Sequence, residues 1–161
     1  MTDKISNKTK KGFTLIELMI AIALIIMFSG LTLPVGFNFY QESTLNDQAR
    51  NLENSLRRAQ AMAMTGRGES NAGVKIEEGQ YTIFEGESFG ERRGEADIII
   101  PFPIALSTSG IDEIVFQKLT GLPLPTFSEE ERSIIIIFGA NSQEITINSQ
   151  GKIERHEKNG E

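Results

Sequence analysis

Glu17 is the residue whose setting most plainly asks for chemistry. It is the only charge in a run of twenty-one residues, 13–33, that reads FTLIELMIAIALIIMFSGLTL. A carboxylate among Leu15, Ile16, Leu18 and Met19 costs about 2.5 kcal/mol or more to place in lipid, so such a group needs either a partner or a route to water. The other titratable groups read as bland. Glu129, Glu130 and Glu131, and the charged stretch 85–97, have the pattern of solvated loops. His156 is the single histidine and stands between Arg155 and Glu157, without the second imidazole or thiolate that a zinc site uses. The chain has no cysteine, which removes disulfides, thiolate metal ligands and thiol catalysis. No nucleophile elbow, phosphate loop or metalloprotease helix is present, so neither a metal nor a cofactor is expected, and no enzymatic activity.

The elements that hold Glu17 follow from the run itself. As a helix rising ~1.5 Å per residue, twenty-one residues reach about 30 Å, the depth of a bilayer core. Lys4, Lys8, Lys10 and Lys11 precede it and hold that end in the cytoplasm by the positive-inside tendency. A cleaved secretory signal has a shorter apolar region and a small-residue cleavage site at its end; here Ala21 and Ala23 sit in the middle. A plain anchor accounts for the length and the lysines but leaves Glu17 unexplained. Pro34 follows the run and either bends the helix or breaks it at the membrane surface.

Residues 10–17 read Lys-Lys-Gly-Phe-Thr-Leu-Ile-Glu. This resembles the prepilin peptidase signal of type IV pilins and type II secretion pseudopilins: a basic leader ending in glycine, then phenylalanine, then glutamate at the fifth mature position. The resemblance implies cleavage between Gly12 and Phe13 by a membrane peptidase, which also N-methylates the new Phe13 amine. It implies a lysine-rich leader (Lys8, Lys10, Lys11) and an assembly role for Glu17, which pairs with the amine of a neighbouring subunit. It also implies a helix kink at Pro34. The partners so implied are the prepilin peptidase/N-methyltransferase, other pilin or pseudopilin subunits, the inner-membrane assembly platform and the lipid bilayer.

Beyond the apolar run, Leu45, Ala49, Leu52, Leu56, Ala59 and Ala63 recur at spacings of four and three, which defines one helical stripe. Asp47, Asn51, Asn54 and Arg58 fall opposite. Phe37, Phe39 and Tyr40 are placed at the lipid–water boundary, and Gly66-Arg67-Gly68 ends the helix as a cap and hinge. From residue 72 the pattern is short strands and turns. The expected strands are 72–76 and 81–84 as a hairpin, an edge strand at 98–100, then 114–116. A central strand at 134–138 buried on both faces follows, then 144–148 and a short final strand through Ile153. One long helix followed only by strands gives an α+β class, helix on antiparallel sheet, and this order is similar to the pilin fold. QARNLENSLRRAQAMAMTG, VKIEEGQYTIF and ITINSQGKI resemble the GspH/FimT branch of minor subunits. The expected organisation is a leader at 1–12, a transmembrane assembly helix at 13–34, an amphipathic second half at 35–66 and a β-rich extracytoplasmic domain at 67–161.

The 16 basic and 22 acidic residues of the chain become 12 and 21 once residues 1–12 are set aside, a net charge of −9. A body this acidic repels phosphate backbones and argues against nucleic acid. The tail 152–161 balances Glu154, Glu157 and Glu161 against Lys152, Arg155 and Lys158, which gives DNA uptake little support. A disulfide-closed loop, common in major pilins, is impossible here, and no calcium ligand cluster stands out. The loop 119–127 (LTGLPLPTF) either folds back on the sheet or offers Leu122, Leu124 and Phe127 to a next subunit. The reading is a minor pilin or pseudopilin. The alternative is a membrane-tethered extracytoplasmic module, binding DNA or a secreted substrate, that does not polymerise.

Overall fold

The computed structural model describes residues 12–66, 70–125 and 132–158, without the side chains of 30–36 and 158. The chain divides into two units, Met1–Phe39 and Tyr40–Glu161. A single helix, α1, runs Leu15–Thr65 and contributes to both. It passes through Pro34, so the break expected as one reading there is absent; the backbone stays helical.

Among the described residues of the first unit the apolar surface lies largely open. The large apolar residues between 13 and 28 keep 49% to 87% of their area open. A helix apolar on all sides is stable only inside an apolar surrounding. Among the described residues no helix is long and apolar enough to cross a membrane.

The second unit is an α+β body. Its helical part carries the predicted stripe: Leu45, Ala49, Leu52, Leu56, Ala59 and Ala63 are all at most 2% exposed. The expected opposite face is solvent-exposed at Asp47, Asn51, Asn54 and Arg58. Alanine at every second or third contact lets the helix backbone lie close to the strands beneath it. Two antiparallel sheets receive it. The first has β1 Ala72–Glu77, β2 Gln80–Glu85, β3 Ile98–Pro101, β5 Glu113–Phe116 and β6 Pro123–Leu124, in the order β3-β2-β1-β5-β6. The second has β4 Ser107–Gly110, β7 Arg132–Phe138, β8 Asn141–Ile147 and β9 Ile153–Lys158, in the order β4-β7-β8-β9. Val74, Ile83, Ile114 and Phe116 of the first sheet and Ile134, Ile136, Ile145 and Ile147 of the second join the helical stripe in one apolar core.

The hairpin β1–β2 is as expected, closed by Glu78 and Gly79, the latter at φ 81°. β3 lies at a sheet edge, where Pro101 leaves no ladder bond unmade. Four readings need correction. β7 is central, between β4 and β8, but only Ile134 and Ile136 are buried while Ile135 and Ile137 are half-buried. One face meets the core and the other is only partly covered, so an unbroken isoleucine run does not imply two buried faces. The final strand does not stop at Ile153: it continues to Lys158 as an edge strand on β8. Its charges are compatible with that place, since edge strands tolerate and use them. β4 and β6 escape sequence reading. β4 is Ser-Thr-Ser-Gly, wholly exposed, and β6 is two residues long with a proline, so neither has an apolar alternation to detect.

The fourth correction concerns 85–97, which is not simply solvated. Phe89 stacks edge-on to Phe84 at 5.5 Å. The Arg92 guanidinium sits 3.7 Å above the Phe89 ring and pairs with Asp97 at 2.7 Å. This segment therefore roofs the outer face of the first sheet. Beneath Phe84, a Cβ on Gly73 would stand 2.5 Å from the Ile114 carbonyl oxygen and 2.7 Å from the Phe84 ring, which is why that strand position is glycine. The loop after β5 folds back: Leu124 pairs with Val115 and Pro123 with Phe116, and Leu122 and Leu124 are half-buried. Phe127 lies outside the described residues, as do Glu129, Glu130 and Glu131.

Candidate functional site

Gly12, Phe13 and Thr14 precede the helix and are not helical. Gly12 has nothing within 4 Å of where a Cβ would sit, and Phe13 is 87% exposed. The backbone here is non-helical and exposed. Helix α1 starts at Leu15 because Thr14 caps it. The Glu17 backbone N–H donates to Thr14 Oγ1 at 3.3 Å, and the Leu18 N–H donates to the Thr14 carbonyl at 3.2 Å. Thr14 and Glu17 thus stand at the N-cap and third helical positions, with the Thr14 hydroxyl accepting from the Glu17 N–H. The Thr-x-x-Glu spacing stands in the sequence, while the bond itself is seen only in the structure. Glu17 is the acidic residue of the first turn, where the positive end of the helix dipole favours it, and it is exposed.

The structure thus brings Gly12, Phe13 and Glu17 within one short segment, with Thr14 fixing the turn between them. Lys8, Lys10 and Lys11 lie outside the described residues. Pro34 is in the helix, twenty-one residues beyond Phe13, and is no part of this segment.

Elsewhere several charged and polar groups fasten the helix to the strands. Glu53 receives Arg57 at 2.9 Å and Arg155 at 3.6 Å. Arg57 also donates to the Ile153 carbonyl at 2.7 Å, and Gln143 donates to Asn46 at 3.0 Å. Gln60 donates to the carbonyls of Gly121 and Gly151 at 3.0 and 2.7 Å. This polar row ties the helix to β8, β9 and two loop turns, and the predicted helical stripe gave no sign of it. His156 is exposed on β9 and lines an open depression with Glu53, Arg57, Lys152 and Glu154. Among the described residues no group of three or more histidine, cysteine or acidic side chains is placed to hold a metal ion.

The perturbed groups of the body include one ion pair and one buried phenol. Lys75 donates to Asp112 at 2.7 Å; that bond raises the lysine pKa and lowers the carboxyl of Asp112. Tyr81 is pushed up by burial, partly offset by its contact with the Ser55 hydroxyl. Neither arrangement includes a nucleophile beside a base, so both belong to stability.

A family model described as the prokaryotic N-terminal methylation motif matches residues 7–33. No solved structure matches the chain.

Proposed function

We propose, from the prokaryotic N-terminal methylation motif matched at residues 7–33, that the chain is a structural subunit of a type IV pilus or type II secretion-like filament. Residues 1–12 are its leader, cut between Gly12 and Phe13, and the helix from Phe13 anchors it in the cytoplasmic membrane before assembly. Lys8, Lys10 and Lys11 keep the leader on the cytoplasmic side, where a membrane peptidase and methyltransferase acts, and the body stands outside. The observation that carries this reading is the exposed, non-helical Gly12–Phe13 junction three residues ahead of the Glu17 turn. Cleavage frees an α-amine at the head of an apolar helix, and the Glu17 carboxylate of an adjacent subunit neutralises it. Leaving one such charge unpaired in an apolar surrounding costs about 3–5 kcal/mol, enough to govern incorporation. Pro34 lets the helix bend within the filament.

Within the class we favour a minor subunit of the GspH/FimT kind. Its support is the acidic, cysteine-free body and the QARNLENSLRRAQAMAMTG, VKIEEGQYTIF and ITINSQGKI stretches. The test separates processing from assembly. Glu17→Val is expected to be cleaved normally and to be lost from sheared filaments. Normal incorporation of that variant would refute the pairing role. A wild-type chain that is cleaved yet stays wholly in the membrane fraction would identify a tethered module instead.

A further inference from the structure

Glu17 is the only charged residue between Gly12 and Phe37, and Phe37 and Phe39 are 60% and 72% exposed farther along the same helix. The helix is continuous between them. Glu17 and Phe37 are twenty residues apart and Glu17 and Phe39 twenty-two, which is about 30 and 33 Å of helix axis. That separation equals the hydrocarbon thickness of a bilayer. Two registers are open to this helix. If the apolar core begins at Phe13, it ends near residue 33, Glu17 lies about 6 Å inside the lipid, and Phe37 and Phe39 stand out among headgroups and water. If it begins at Glu17, the carboxylate reaches cytoplasmic water along its own stem, and both phenylalanines lie at the opposite boundary of the hydrocarbon, their apolar rings kept from full hydration.

We infer that Glu17 at one end and Phe37 with Phe39 at the other fix the depth of the unassembled chain in the bilayer, with the Glu17 carboxylate at the cytoplasmic edge of the hydrocarbon. The partner this helix surface fits is a bilayer of about 30 Å core. Gly12, Phe13 and Thr14 then lie in the interface, within reach of an enzyme that cuts at the membrane surface. Glu17 becomes fully desolvated only when the helix leaves this depth for the filament, so the pairing with an amine is needed at assembly and not before. The inference rests on the membrane-anchored part of the proposed function and needs no other subunit.

The chain contains no tryptophan and no cysteine, which makes single-site probes clean. The full precursor is placed in phosphatidylcholine nanodiscs, where both faces are open. In Phe37→Trp, fluorescence is expected to be quenched most by lipids brominated close to the headgroup. In Thr14→Cys, a membrane-impermeant maleimide is expected to label the thiol. Adding Glu17→Leu to Thr14→Cys is expected to cause a loss of labelling, because the inner boundary moves toward Phe13. Three results overturn the inference: strongest quenching of Phe37→Trp by bromines at the bilayer centre, no quenching at any depth, or Thr14→Cys labelling unchanged by Glu17→Leu. No peptidase or second subunit is present, so failure of filament incorporation, read separately, leaves the register result standing.

Discussion

At the scale of single residues, the amino-terminal segment depends on Thr14 as much as on Glu17. The Thr14 hydroxyl is the acceptor that ends an otherwise open first turn, and N-cap removal costs about 1 kcal/mol. Thr14→Val is therefore expected to speed hydrogen exchange of the Glu17 and Leu18 amides about fivefold in detergent micelles, with Thr14→Ser close to wild type. Equal exchange in all three chains would show that the cap does not hold the turn. The Lys75–Asp112 pair makes a pH prediction. Asp112 has a lowered folded pKa, so its contribution is present above the unfolded carboxyl value near 3.9 and is lost as pH falls through the folded value. Lys75 has a raised folded pKa, so its contribution is present below about 10.4 and is lost as pH rises through the folded value. Tyr81, also raised, adds to the alkaline loss. Since the Asp112 side chain is 75% exposed, the pair is worth under about 1 kcal/mol. Asp112→Asn should lower the melting temperature slightly at neutral pH and leave it unchanged below the folded carboxyl value, so that the acid limb flattens.

At the scale of elements, the second half of α1 was legible because its function is burial. A stripe at spacings of four and three has one physical meaning when charges fill the opposite face, and all six stripe residues lie in the core. Leu52→Ala, at 0% exposure, is expected to destabilise the body by about 2–5 kcal/mol, read as a lowered urea midpoint. A change within error would place Leu52 outside the core. Gly73→Ala is expected to destabilise by about 1–3 kcal/mol, since the new methyl meets the Ile114 carbonyl and the Phe84 ring. Strands were less legible where pairing, not apolar alternation, makes them. β9 carries Glu154, Arg155, His156, Glu157 and Lys158, and is a strand because β8 offers it an edge. β4 has no side chain larger than threonine and exists through its ladder with β7. The same holds for Arg92: nothing in its sequence neighbourhood marks it as the cover of Phe89. The candidate site was legible for a different reason. Glu17 contradicts its surroundings, and that conflict is visible without coordinates, whereas the capping bond that positions it is not.

At the scale of the whole molecule, the two units divide the work by what surrounds them. The first keeps its described apolar side chains from Phe13 to Phe28 largely open, a surface stable only in apolar surroundings. The second buries its own apolar residues in one core and keeps a charged exterior. A subunit of a filament drawn from a membrane needs both properties in one chain, and the exposed Gly12–Phe13 junction stands at the head of the first. Processing there is the claim on which the rest depends. Mass spectrometry of the mature amino terminus, from cells that make the filament, tests it most directly. A chain beginning at Phe13 with a methylated α-amine is expected; a chain that begins at Met1, or one cut beyond residue 30, would contradict processing at this junction.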